Sequence, residues 1–173
     1  MASVMLPTVA DTEAFGRALG ESARAGDLLL LAGPLGAGKT ALVRGLAAGL
    51  GVRGRVSSPT FVIARVHDAG ERGVALVHVD AYRLGDDLAQ LDDLDLDTDL
   101  VDAVVAVEWG EGAARLSEDH LLVRLERRDD DVRVARLEPS GAWVGRELPG
   151  VEPAGAELPG AGSRSAEAAD RNG

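Results

Sequence analysis

Asp27-Leu28-Leu29-Leu30-Leu31-Ala32-Gly33-Pro34-Leu35-Gly36-Ala37-Gly38-Lys39-Thr40 reads as a short apolar strand running directly into a glycine-rich loop. The loop, Gly33 to Thr40, fits the phosphate-loop pattern G-x-x-x-x-G-K-[ST]. The apolar run before it suits a strand buried on both faces, and Thr40 to Leu50 follow with apolar residues at helical spacing. Strand, glycine loop, helix is the order the pattern requires. Gly33, Gly36 and Gly38 permit tight backbone turns, and a helix N-terminus adds partial positive charge toward an anion. Lys39 is the only lysine; the other 17 of the 18 basic residues are arginine. The planar fork of arginine cannot enter a nest of backbone N–H groups where a compact ammonium bridges β- and γ-phosphates. One lysine at that spot therefore points to a nucleoside triphosphate site. The bland alternative, a glycine-rich strand-to-helix turn that binds nothing, is disfavoured by this context.

At 173 residues the chain is long enough for one core of ordinary size, and one domain is expected. The absence of cysteine excludes disulfides, thiolate metal sites and cysteine nucleophiles. His67, His78 and His120 are scattered without metal-ligand spacing and read as surface or core histidines, so magnesium travelling with the nucleotide is the one metal expected. Met1 to Thr8 is too short and lacks the basic flank of a secretion signal, and no apolar run is long enough to cross a bilayer; a cytoplasmic protein without membrane contact is expected. A formal charge of −11 argues against tight, direct binding of nucleic acid, because phosphate contacts need a cationic surface. If RNA is involved, a partner is expected to hold it.

Val4 to Leu6 suits an edge strand, and Asp11-Thr12-Glu13 opens an amphipathic helix to about Ala25, with Asp11 or Thr12 as cap. Thr60 to Val66 and Val74 to Val79 are β-rich runs joined by a hairpin-like connection, which predicts a mixed sheet. Eight aspartates between Asp86 and Asp102 interleave with leucines and suggest one or two short helices with an acidic outer face. Ala103 to Val107 is a fully apolar strand, and Leu121 to Leu125 with Val132 to Leu137 make a C-terminal hairpin. Beyond Pro139 the composition shifts, and Glu147-Leu148-Pro149-Gly150 recurs as Glu157-Leu158-Pro159-Gly160. Residues 1–148 are therefore read as the domain and 149–173 as a low-complexity, mobile tail.

Two apolar strands end in a carboxylate, at Asp80 and at Glu108. In open α/β sheets ligands sit outside the carboxyl ends of the strands, where the phosphate loop also lies. Acids there can hold magnesium or polarise the attacking water. A solvated strand-end acid is common taken singly; two beside a phosphate loop favour the functional reading. Ser57-Ser58-Pro59-Thr60-Phe61 reads alone as a turn before a strand, yet its hydroxyls could approach a γ-phosphate as switch segments do.

Taken as an ordered array, these residues resemble the bacterial TsaE (YjeE) ATPases, which are required for making N6-threonylcarbamoyladenosine in tRNA. Leu35-Gly36-Ala37-Gly38-Lys39-Thr40 matches the family's L-G-A-G-K-T, and Ser58-Pro59-Thr60-Phe61 its S-P-T-[FY]. His78-x-Asp80-x-Tyr82-Arg83 matches H-x-D-x-Y-R, and Glu108-Trp109 matches E-W. The resemblance runs from about Leu6 to Leu137. It implies an α/β fold of the P-loop NTPase class, three-layer α/β/α with a mixed, mainly parallel sheet and a C-terminal β-hairpin. It implies ATP phosphates held by Gly36, Ala37, Gly38, Lys39, Thr40 and Ala41, magnesium (Mg2+) on Thr40 and Glu108, and Asp80 as the catalytic or second-layer acid. Lys39, Asp80 and Glu108 are the implied catalytic set. Trp109, Glu111 and Arg133 fall where the family places residues beside the nucleotide, and the segment from Thr8 to Thr12, Val9 included, falls near the adenine. The implied partners are TsaD, which carries the transfer chemistry, and TsaB, with tRNA reached only through them.

Three departures stand out. Pro34 replaces the acid usual after the first glycine, Ala41 replaces a frequent second threonine, and the tail after Pro149 has no family counterpart. A small-molecule kinase is the main rival, but the region after Asp80 is acidic and offers no arginine-rich lid. A GTPase is less compatible, since no N-K-x-D signature can exist in a chain whose one lysine is Lys39. The resemblance favours a weak ATPase whose cycle drives a partner complex, combining turnover with a nucleotide-dependent scaffold role.

Overall fold

The computed structural model describes residues 2–57, 64–84, 101–115 and 117–151. Among the described residues nine helices and strands follow in order: β1 (Ala2–Leu6), α1 (Val9–Ser22), β2 (Leu28–Ala32), α2 (Lys39–Leu50), β3 (Ala64–His67), β4 (Ala75–Asp80), β5 (Ala103–Glu108), β6 (Leu121–Arg127) and β7 (Arg133–Pro139). They build one seven-stranded sheet in the order β1-β7-β6-β2-β5-β4-β3. The pairings β6–β2, β2–β5 and β5–β4 are parallel. The pairings β3–β4, β6–β7 and β1–β7 are antiparallel. The sheet is thus mixed as expected, with a parallel centre of four strands and antiparallel flanks, and β6–β7 is the expected C-terminal hairpin.

β2 lies inside the sheet because its leucines have no polar face to present. Leu29 and Leu31 join the cluster formed with α1 and α2, while Leu28 and Leu30 join the cluster on the opposite face. Both α-helices pack on the first face. Among the described residues the second face is covered by Ala81 and by Ala113 and Ala114 of a short 3-10 turn at Gly110–Arg115. The acidic segment expected to form short helices lies outside the described residues, as does the start of the run expected from Thr60.

The N-terminal helix starts earlier than its sequence suggests. Thr8, not Asp11 or Thr12, is the cap: its hydroxyl accepts the Asp11 N–H at 3.1 Å, and the Asp11 carboxylate accepts the Thr8 N–H at 2.8 Å. Asp11 is better used as the third helical residue of this capping box, where its charge also faces the helix dipole. At the other end the helix stops at Ser22, and Asp27 accepts the Arg24 N–H at 2.8 Å in the turn that follows.

α1 and α2 meet backbone to backbone through four glycines. A Cβ on Gly16 or Gly20 would overlap the carbonyl oxygen of Leu42 or Leu46, and one on Gly45 or Gly49 would overlap that of Glu13 or Arg17. This close crossing fixes where the N-terminus of α2 lies. Arg72 ties the other ends together, its guanidinium donating to the carbonyls of Gly20 and Glu21 in the first helix, of Ala23 just after it, and of Gly49 in the second. Gly45→Ala is therefore expected to destabilise the fold by about 1–3 kcal/mol, the usual cost of overpacking, despite alanine's better helix propensity. Urea unfolding would check this; a variant as stable as the parent would mean the helices can separate freely.

The domain continues past the compositional shift at Pro139. Trp143 is buried against the helix-side cluster, and Leu148 and Val151 pack on the same cluster. Arg146 stacks over the Trp143 ring at 3.9 Å and forms a two-pronged ion pair with Asp27, at 2.7 and 3.0 Å. Most of the segment read as a tail, 152–173, lies outside the described residues.

Candidate nucleotide site

The loop between β2 and α2 is shaped by glycines at the positions where backbone geometry demands them. Gly38, with φ 108°, is the N-cap of α2 and offers no side-chain cap, so the first-turn N–H groups remain free of a capping side chain. Gly33, with φ 137°, passes so close to β6 that a Cβ would overlap the Leu125 carbonyl. Lys39 is buried, and its ammonium donates to the carbonyls of Gly33 and Pro34 at 2.7 and 2.9 Å. Pro34 thus serves through its carbonyl, for which its missing N–H is irrelevant. The ammonium also lies 3.7 Å above the Trp109 ring. Burial lowers the Lys39 pKa from its ordinary value, against the opposing pull of Glu108 and Asp80.

Parallel pairing of β4 with β5 places Asp80 opposite Glu108 at the strand ends, beside the start of α2. Glu108 is only 4% exposed, so its carboxylate depends on donors. The Thr40 hydroxyl supplies one, at 3.0 and 3.2 Å from the two oxygens, and His78 Nε2 another at 2.8 Å from Oε1. Asp80 is less enclosed and accepts the Tyr82 N–H at 3.0 Å. The Thr40 hydroxyl and the Glu108 carboxylate are hard oxygens of the kind that could hold magnesium. Among the described residues no group of three or more His, Asp or Glu could hold a metal ion alone.

A cavity of about 500 Å³ opens over these groups. Its lining includes Val9, Gly36, Gly38, Lys39, Thr40, Ala41, Asp80, Glu108 and Trp109, all residues singled out from the sequence. Ala37 is fully buried beneath the loop. Arg133 lies directly behind the turn, its Cδ and Nε 3.3 Å from where a Cβ on Gly38 would be. Glu111 is not brought into the lining; it is exposed and paired with Arg124 on β6, as is Glu138. Trp109 holds φ 63°, a left-handed conformation unusual for a bulky residue, and its ring lies 5.0 Å from that of Tyr82.

Four contributors had no site role in the sequence reading, although Leu35, His78 and Tyr82 fall in its motifs. Leu35, Arg44 and Tyr82 also line the cavity, Arg44 pairing with Glu13 of α1 at 3.0 Å. His78, read as an ordinary surface or core histidine, is fully buried and bonded to Glu108. The alternation His78-x-Asp80 in a strand was the available signal, because it puts both side chains on one face.

A parallel-centred sheet, a glycine loop leading into a helix and two strand-end acids around one cavity define a phosphate-loop NTPase fold. The chain belongs to the TsaE family: the model of "Threonylcarbamoyl adenosine biosynthesis protein TsaE" matches residues 6–135. It is 56% identical over 138 residues to the tRNA threonylcarbamoyladenosine biosynthesis protein TsaE of Mycobacterium tuberculosis strain H37Rv, covering 75% of this chain and 82% of that one. The protein of the same name from Streptomyces coelicolor is 59% identical over 117 residues, 67% of this chain and 79% of the relative. The crystal structure of Bacillus subtilis YdiB superposes with a TM-score of 0.64 at 29% identity, covering 80% of this chain and 85% of that one. Membership places the protein in tRNA threonylcarbamoyladenosine biosynthesis. No helix among the described residues is long and apolar enough to cross a membrane.

Proposed function

We propose that the protein is a magnesium-dependent ATPase whose hydrolysis cycle drives a TsaB–TsaD complex during synthesis of N6-threonylcarbamoyladenosine. The observation that carries this reading is the convergence of Lys39, Thr40, Glu108 and Asp80 at one cavity, with the Thr40 hydroxyl already on the Glu108 carboxylate. The N–H groups at the start of α2 and the Lys39 ammonium bind the β- and γ-phosphates, the ammonium exchanging the Gly33 and Pro34 carbonyls for phosphate oxygens. Thr40 and Glu108 would hold magnesium, which when bound would neutralise charge developing on the phosphates. Asp80, the more open of the two acids, orients the attacking water and accepts its proton. Val9 and Trp109 supply the apolar walls for the base and exclude water.

The chain's charge of −11 supports an indirect route to RNA, with the partners holding tRNA. Cytoplasmic residence follows from that role. ATP turnover with and without TsaB and TsaD tests the reading. Slow turnover alone and a clear rise with both partners is the expected result. Partner-independent transfer of the γ-phosphate to a small acceptor would favour a kinase instead.

A further inference from the structure

Resting on the nucleotide and magnesium reading of this site, we infer that His78 is a positioning residue: it holds the Glu108 carboxylate in the orientation that meets the cation. The two side chains come from neighbouring strands of the rigid parallel centre. His78 is paired with Ala106 and Asp80 with Glu108, so all four side chains share one face, and His78 lies opposite a position two before the Glu108 it touches. Diagonal neighbours of this kind are separated by about 7–8 Å at Cα, a gap a long side chain can close. Ala106 leaves room for it.

The hydrogen bond has a direction. A carboxylate only accepts, so Nε2 carries the proton and donates to Oε1 at 2.8 Å. The other ring nitrogen, Nδ1, is buried and has no partner among the described residues. An imidazole held for packing alone would gain nothing from an unpaired buried nitrogen, whereas leucine would fill the space at less cost. The bond to Glu108 is what the side chain provides. Thr40 makes the second contact to the same carboxylate, from the first turn of α2. When Thr40 turns to the cation, His78 remains the donor that keeps Glu108 from rotating. Partners of this kind behind a ligating group typically contribute roughly 10–100-fold to metal affinity.

The test compares His78→Leu, His78→Gln and the parent, using AMPPNP as probe. Binding is followed by calorimetry, first in EDTA and then across a magnesium titration, with thermal melting as a check of folding. Glutamine places an amide N–H close to where Nε2 lies; leucine removes the donor. His78→Leu should raise the half-saturating magnesium roughly 10–100-fold, His78→Gln should remain within about threefold of the parent because its donor is restored, and all three should bind alike in EDTA. If leucine unfolds the protein, His78→Asn replaces it, since its shorter amide cannot reach Glu108. A leucine or asparagine variant with the parent's magnesium dependence would overturn the proposal. So would a glutamine variant as impaired as leucine, or a loss of binding in EDTA that matches the loss in magnesium. Magnesium-independent binding by the parent would instead remove the reading beneath it.

Discussion

Lys39→Ala is expected to lower ATP affinity by about 1.5–3 kcal/mol, the usual worth of hydrogen bonds to a charged group, or roughly 10–150-fold. Lys39 lines the cavity at the head of α2, and it is already desolvated, so its approach to phosphate costs little further dehydration. Its replacement also frees the carbonyls of Gly33 and Pro34, which then lose their shared donor. The loop itself should survive, because its turns rest on Gly33, Gly36 and Gly38 and on the bond from Leu42 N–H to the Gly38 carbonyl at 2.9 Å. Loss of affinity with an unchanged melting temperature is therefore the expected pair of results. Calorimetry decides it, and unchanged ATP affinity would remove the phosphate-loop reading. Trp109 gives an independent signal: the ammonium lies over its ring, while the other tryptophan, Trp143, is buried on the helix side of the sheet. Binding should change indole fluorescence in the parent, and the change should require correspondingly more ATP in the variant.

What could be read from the sequence was what depends on local pattern. Four leucines before a glycine loop can only be an interior strand, and strands ending in Asp80 and Glu108 must deliver those acids to the same edge once they pair in parallel. Pairings set by distant residues were less legible. That His78 reaches past Ala106 to Glu108 depends on the register of two strands 30 residues apart. Trp143 and Arg146 were lost in an alanine- and glycine-rich context, although the ion pair with Asp27 joins them to the turn before β2. The helix cap was misplaced because Thr8, Asp11 and Thr12 all have cap chemistry, and only the reciprocal bonds between Thr8 and Asp11 choose among them. Glu111, which the resemblance implied beside the nucleotide, is paired with Arg124 by the 3-10 turn at Gly110–Arg115, a contact that no local pattern announces.

The two strand-end acids should separate cleanly under substitution, because their surroundings differ. Glu108 is enclosed by Thr40 and His78, whereas Asp80 is partly exposed and bonded only to the Tyr82 N–H among its described partners. Asp80→Asn keeps an oxygen for that N–H and removes the base, so turnover should fall by about 10²–10⁴-fold, the range for loss of a general base. ATP affinity and magnesium dependence should hardly change. Glu108→Gln keeps nearly the same volume and an oxygen for Thr40 but removes the negative charge that a hard cation requires. Its main effect should be a higher magnesium requirement for ATP binding, with part of the lost turnover recovered at high magnesium. A steady-state series over magnesium and ATP, analysed for kcat and KM separately, distinguishes the two patterns. Identical magnesium titrations for Glu108→Gln and the parent would mean that the buried acid is not a ligand. Asp80 would then be the better candidate for the cation, and the exposure of each carboxylate would have been a misleading guide to its role.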